Sequence, residues 1–178
     1  MPGRRIVTGH DADGRSVFVS DAVVEPVMLS LMPGAAFHQL WARDTTASIP
    51  DDAAAAERFG YFPPEDGFRF GFFTLGPDSV ATPADLDIGA ALRELNERLP
   101  GMLDVLEPDH RGMHTTDTID FDVVISGEVW LELDDGAEVR LGPGDSVIQN
   151  GTRHAWHNRT SDPCTLAVTL IGARRDGR

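Results

Sequence analysis

From Thr118 onward the chain breaks into short alternating runs joined by tight turns, and that spacing limits the fold more than any other feature. Val129, Leu131 and Leu133 alternate with Trp130, Glu132 and Asp134. Asp135-Gly136 is a hairpin turn pair, and Glu138-Val139-Arg140-Leu141 is the return strand. Gly142-Pro143-Gly144-Asp145 suits a type II turn, with Pro second and Gly third. Residues 146–149, 155–158 and 165–171 continue the series. Short strands at such close intervals close into a sandwich or barrel.

The amino-terminal half reads as further strands at 6–8, 16–19, 23–31, 37–42 and 68–75, the first two joined by a turn over His10-Asp11-Ala12-Asp13-Gly14. Residues 43–65 form a long polar loop holding Pro50, Pro63 and Pro64, with a short helical piece at 53–58. Loops of this length serve as lids or dimer arms. One amphipathic helix is predicted over 82–100. Thr82 is its N-cap, Pro83 its first position and Asp85 its acidic third; Ile88, Leu92, Leu95 and Leu99 follow at helical spacing, and Pro100-Gly101 ends it. Its apolar stripe is expected to dock on the outside of the sheet. Residues 1–178 read as one domain: strands and loop over 1–80, helix over 82–100, barrel over 112–171.

Charge narrows the partners. The formal net charge of −14 repels phosphate backbones, so nucleic acid is not an expected partner. No run reaches the roughly 20 apolar residues of a membrane span. The opening Met-Pro-Gly-Arg-Arg-Ile-Val has no apolar run behind it, so a cytoplasmic protein is expected. The single Cys164 excludes an intramolecular disulfide and sits in a strand pattern, as a small buried apolar residue. Signatures of serine hydrolases, P-loop enzymes, zincin proteases and nucleotide-binding oxidoreductases are absent.

Two segments carry chemistry: His114 through Asp120 to Gly127, and Gly144-Asp145 through Gly151 and His154 to Asn158. They resemble the two motifs of the cupin superfamily, G-x5-H-x-H-x3,4-E-x6-G and G-x5-P-x-G-x2-H-x3-N. Gly127 matches the closing glycine of the first motif, Asp120 stands at its glutamate and His114 at its first histidine. Thr116 stands where the second histidine would be. In the second motif Gly144, Gly151, His154 and Asn158 align, although the stretch before Gly151 is one residue short and Asn150 stands near the proline.

The resemblance, which covers residues from Gly112 to about Ile171, implies an all-β, double-stranded β-helix (jelly-roll) barrel with added amino-terminal strands and the one amphipathic helix. It implies His114, Asp120 and His154 as ligands of one divalent metal ion (iron, zinc, manganese or nickel). Two imidazoles and a carboxylate suit the facial site of iron(II) or a zinc site keeping a water. The implied activities are those of an oxygenase, decarboxylase, lyase or dehydratase, or isomerase on a small organic molecule. The alternative is a non-catalytic cupin that has lost its metal and binds a small ligand. A homodimer through the added strands is also implied.

If Asp120 points inward, strand alternation brings Asp122, Val124 and Ser126 with it. Asp122 is then a candidate catalytic acid or base, unless a bulge turns it out or it pairs with an arginine such as Arg153. Trp156 and Asn158 share the face of His154 and, with Thr116 and His38, are candidate pocket residues. His110 is a possible substitute ligand, and His157 faces the other way. An anionic substrate would need Arg43, Arg69, Arg153 or the metal; a neutral, partly aromatic one suits the tryptophans better.

Overall fold

Turn chemistry sets the register of the carboxy-terminal strands. Asp135 and Gly136 take φ of 58° and 71°, the pair of left-handed positions of a type I′ turn. The hairpin they close joins β6 (Val129–Glu132) to β7 (Glu138–Leu141), pairing Val129 with Leu141 and Glu132 with Glu138. At the Gly142-Pro143-Gly144 turn, Asp145 N donates to Gly142 O at 3.0 Å, and β8 (Ser146–Asn150) begins. Gly127 ends β5 (Thr118–Ser126) at a point where a Cβ would lie 2.5 Å from Pro163 O, so no side chain fits there.

A computed structural model describes residues 3–51 and 59–176; the helical piece predicted at 53–58 lies outside them. The remaining strands are β1 (Gly3–His10), β2 (Ser16–Val24), β3 (Ala36–Arg43), β4 (Phe68–Leu75), β9 (Ala155–His157) and β10 (Cys164–Gly172). They form three antiparallel sheets. β1 and β2 make a hairpin, β3-β4-β10-β5-β8 a five-stranded sheet, and β7-β6-β9 a three-stranded one. The two larger sheets share a core of Val124, Val129, Leu131, Leu141, Cys164 and Leu166, which closes the jelly-roll barrel. Burial pushes the Cys164 thiol up to about 11, so it behaves as packing rather than as a nucleophile. β3 and β4, from the amino-terminal half, are hydrogen-bonded members of the main sheet.

Three amino-terminal expectations need correction. The strand predicted at 23–31 stops at Val24, because Pro26 has no N–H to continue a ladder; only Val27 pairs, as an isolated bridge to Phe37. The helix begins later than its sequence cap. α1 is Ile88–Arg98, and Asp87 caps it by accepting from Ala90 N at 2.9 Å. Nor does it dock on the outer face: Leu95 and Leu99 pack with Leu29, Ala35, Phe37 and Met102 on the barrel's inner side, while Ile88 and Leu92 stay exposed. A one-turn helix, α2 (Met102–Val105), follows it.

β5 alternates as its sequence predicts: Thr118, Asp120, Asp122 and Val124 are buried, and Ile119, Phe121, Val123 and Ile125 are exposed. Ser126 breaks the pattern. The pairing with β10 skips Ile125, and this bulge turns Ser126 outward. Among the described residues no helix is long and apolar enough to cross a membrane.

Candidate active site

A cavity of about 120 Å³ opens at the barrel's inner face, and five of the sequence-predicted site residues line it: His114, Asp120, Asp122, His154 and Trp156. The histidines are brought together by backbone. His114 N donates to His154 O at 3.0 Å and His154 N to His114 O at 2.9 Å, which sets the two rings 4.2 Å apart. Asp120 and Asp122 reach the same space from β5.

Each imidazole is oriented by its own turn. His114 Nδ1 lies 2.9 Å from Gly112 O and His154 Nδ1 lies 2.9 Å from Thr152 O. A carbonyl only accepts, so each Nδ1 carries the proton and each Nε2 keeps its lone pair. Burial lowers the His114 pKa and, with the charge of His114, pushes His154 down to about 4. Both rings are therefore neutral near pH 7, the form that binds metals.

The carboxylates are displaced the opposite way. Burial raises Asp120 to about 6, against a hydrogen bond from Thr118; burial and the nearby Asp120 raise Asp122 to about 7. Asp120 Oδ1 is buried with no hydrogen-bond partner. Arg153 does not relieve Asp122, because it is forked onto Glu107 at 2.7 Å and onto Asp134 at 3.0 Å.

In kind, the donor set fits a divalent ion: two imidazoles with free Nε2 and a carboxylate oxygen left without a partner. In spacing it is looser than a closed shell. The ligand atoms of His114, Asp120 and His154 do not all lie within 4.8 Å of one another. The group that does, among the described residues, is Glu132, Glu138 and His157 on the three-stranded sheet. There Glu132 Oε2 is 2.6 Å from His157 Nε2 and Glu138 is paired with Arg159.

Three predicted pocket residues lie elsewhere. The Thr116 hydroxyl is buried against that of Thr118 at 2.8 Å, outside the cavity lining. Asn158 uses its whole amide to brace the following loop: Nδ2 donates to Leu75 O and Asp162 O, and Oδ1 accepts from Thr160. His38 lies on the opposite face of the main sheet, in line with Phe72 of β4, because the bulge in β3 comes only after Gln39. His110 stays exposed in its turn, and Trp130 faces out beneath Arg140 and Arg159.

Sequence reasoning missed Tyr61 and Phe62. Both come from the loop read as a lid or arm, and both line the cavity. Tyr61 N donates to Pro100 O at 2.7 Å, and Gly67 O accepts from Gly172 N at 2.8 Å, so the described part of this loop is fastened across the barrel. Burial, then the charges of Asp122 and Asp120, raise the Tyr61 pKa well above the usual tyrosine range, so its hydroxyl stays protonated. The aromatic run Phe59-Gly60-Tyr61-Phe62, inside a loop read as polar, was the available signal.

The chain is similar to several known proteins. Residues 103–170 match the family profile described as Cupin domain (Cupin_2). Phomopsin biosynthesis cluster protein C' of Diaporthe leptostromiformis is 31% identical over 157 residues, 88% of this chain and 70% of that protein. Cupin-domain-containing oxidoreductase srdB of Neurospora crassa is 25% identical over 175 residues, 94% of this chain and 72% of that protein. Among solved structures, the Cnp3 cupin domain of Schizosaccharomyces pombe aligns with a TM-score of 0.48 at 8% identity, covering 95% of this chain and 87% of that one.

Proposed function

The chain belongs to the cupin superfamily, and on that footing we propose that the β5 cavity is the active site of a metal-dependent enzyme acting on a small organic molecule. His114, Asp120 and His154 hold one divalent ion, iron, zinc, manganese or nickel. The observation that carries this reading is Asp120 Oδ1, buried without a partner beside two neutral imidazoles whose Nε2 atoms are free. When bound, the ion supplies Lewis acidity or, if it is iron, a centre for oxidation and reduction. Similarity to a protein named as a cupin-domain-containing oxidoreductase favours oxidation and reduction over the other cupin reactions.

The rest of the chemistry belongs to the chain. Asp122, held near neutrality, takes or returns a proton at a carboxyl oxygen. The Tyr61 hydroxyl donates a hydrogen bond to the bound molecule, and Phe62 and Trp156 keep bulk water from it.

Metal content of protein purified without chelator tests the reading. About one equivalent is expected, with none in a His114→Ala/His154→Ala variant that keeps its fold. No metal after incubation with each ion would leave the second reading, a cavity that binds its ligand without a metal. The open spacing of the three donors and the Thr116 hydroxyl, already paired with Thr118, favour that alternative.

We also propose that a second copy of this chain covers the outer face of the main sheet. Ile119, Phe121, Val123, Ile125 and Ile148 are exposed there, and Val17, Phe18 and Val19 on the hairpin strand β2. A lone two-stranded hairpin is marginal in water and needs a surface to pack on. These eight exposed apolar side chains supply the apolar centre for an interface of standard size, roughly 800 Å² per partner. Sedimentation at micromolar concentration is expected to show a dimer; a monomer would overturn this.

A further inference from the structure

The charge and the size of the cavity together narrow what it can hold. Of its sixteen lining residues two are acidic and none is lysine or arginine, and the two histidines are held neutral. The arginines that an anion would need are committed elsewhere. Buried Arg69 donates to Gly60 O and Arg43 O, each at 2.8 Å, and pairs with Asp44. Arg153 is held by Glu107 and Asp134, and Arg43 is paired with Asp51.

No lysine or arginine lines the cavity, so an anionic group entering it would lie among apolar and aromatic walls with no cationic side chain to pair with. The volume, about 120 Å³, is close to the roughly 150 Å³ of an apolar cavity that holds one benzene. The rest of the wall is apolar or aromatic, with Phe37, Phe73 and Leu75 among it. Asp122 offers an acceptor and Tyr61 a donor.

We infer that the cavity selects a neutral molecule the size of one ring, bearing a group that donates and accepts hydrogen bonds, and rejects carboxylates and phosphates. This deepens the function proposed above and rests on the cavity being the functional site. It is stated for the metal-free cavity, because a bound ion would itself take a carboxylate.

Benzamide and benzoate share a skeleton and differ in charge, and 2-naphthamide adds a second ring. Titration calorimetry of each against the full chain near pH 8, after chelator treatment, tests the inference, and zinc uptake by the same protein is measured separately. Benzamide is expected to bind at least about tenfold more tightly than benzoate, and 2-naphthamide at least about tenfold more weakly than benzamide. Asp122→Asn should narrow the gap between benzamide and benzoate. Benzoate binding as well as benzamide, 2-naphthamide binding better, or none of the three binding at millimolar concentration would each overturn the inference. If zinc fails to load while the preference holds, the metal reading falls and this one stands; if zinc loads and benzoate is preferred, the reverse is true.

Discussion

The two faces of β5 follow opposite rules. Its inner face buries Thr118, Asp120 and Asp122, and its outer face exposes Ile119, Phe121, Val123 and Ile125. A strand in an ordinary water-facing antiparallel sheet does the reverse, apolar within and polar without. The inner face buries two carboxyl groups, one oxygen of which has no hydrogen-bond partner, and the outer face leaves aliphatic and aromatic surface in water. Neither choice favours a solitary folded chain. Under the proposals above each face meets something else, a bound molecule and ion inside and a second copy of the chain outside. The polar atoms buried without partners among the described residues divide the same way: Asp120 Oδ1 faces in, while both nitrogens of His38 lie on the outer side and Arg5 Nε on the hairpin.

The largest expected effect is on the inner face. Asp122 is raised from 3.8 to about 7, so between those values the folded state binds its proton more tightly than the unfolded state. Stability is therefore lost as pH rises through that window. In metal-free protein, Asp122→Asn is expected to stabilise by on the order of 3 kcal/mol near pH 8, with the gain fading below about pH 4, as read from urea unfolding. An equal gain at both ends would mean that burial of the carboxylate is not what distinguishes this face. His154 works in the opposite direction, since its pKa of about 4 costs stability as pH falls below 6.5.

On the outer face, Phe121→Glu is expected to weaken self-association at least about a hundredfold by sedimentation, while the unfolding free energy of the dilute protomer stays within about 0.5 kcal/mol. A dimer untouched by this charge would locate the interface elsewhere. The smallest effect belongs to His38, whose ring nitrogens meet no partner beside a hollow of about 140 Å³ lined by Phe72, Thr74, Ile125 and Thr165. His38→Phe should stabilise the dilute protomer by about 1 kcal/mol in thermal unfolding. A loss in the dimer alone would show that the second copy supplies the missing hydrogen bond.

What could be read from sequence was what depends on near neighbours. Period-two alternation fixed the inward set of β5 up to the bulge, and Asp135-Gly136 fixed a hairpin, because both act over a few residues. Motif spacing brought His114 and His154 to one cavity. Asn158 was misjudged because its amide answers to Leu75, far back in the chain, and His38 because nothing local reveals which face of β3 the barrel will use. The helix start slipped because Thr82 and Asp87 are both good caps, and tertiary packing of Leu95 and Leu99 decides between them. Tyr61 and Phe62 stayed hidden because their loop is placed by Pro100 and Gly172, not by any pattern of its own.

The reciprocal pairing of His114 and His154 runs through peptide groups, which every residue except proline carries. The seat of the two rings is thus blind to the rings themselves. Mutation can exchange either side chain, and with it the reactivity of the cavity, while the frame that aims them stays as it is. Chemistry and architecture are inherited separately at this point, and a designer wishing to install a new reaction here would find the socket already built.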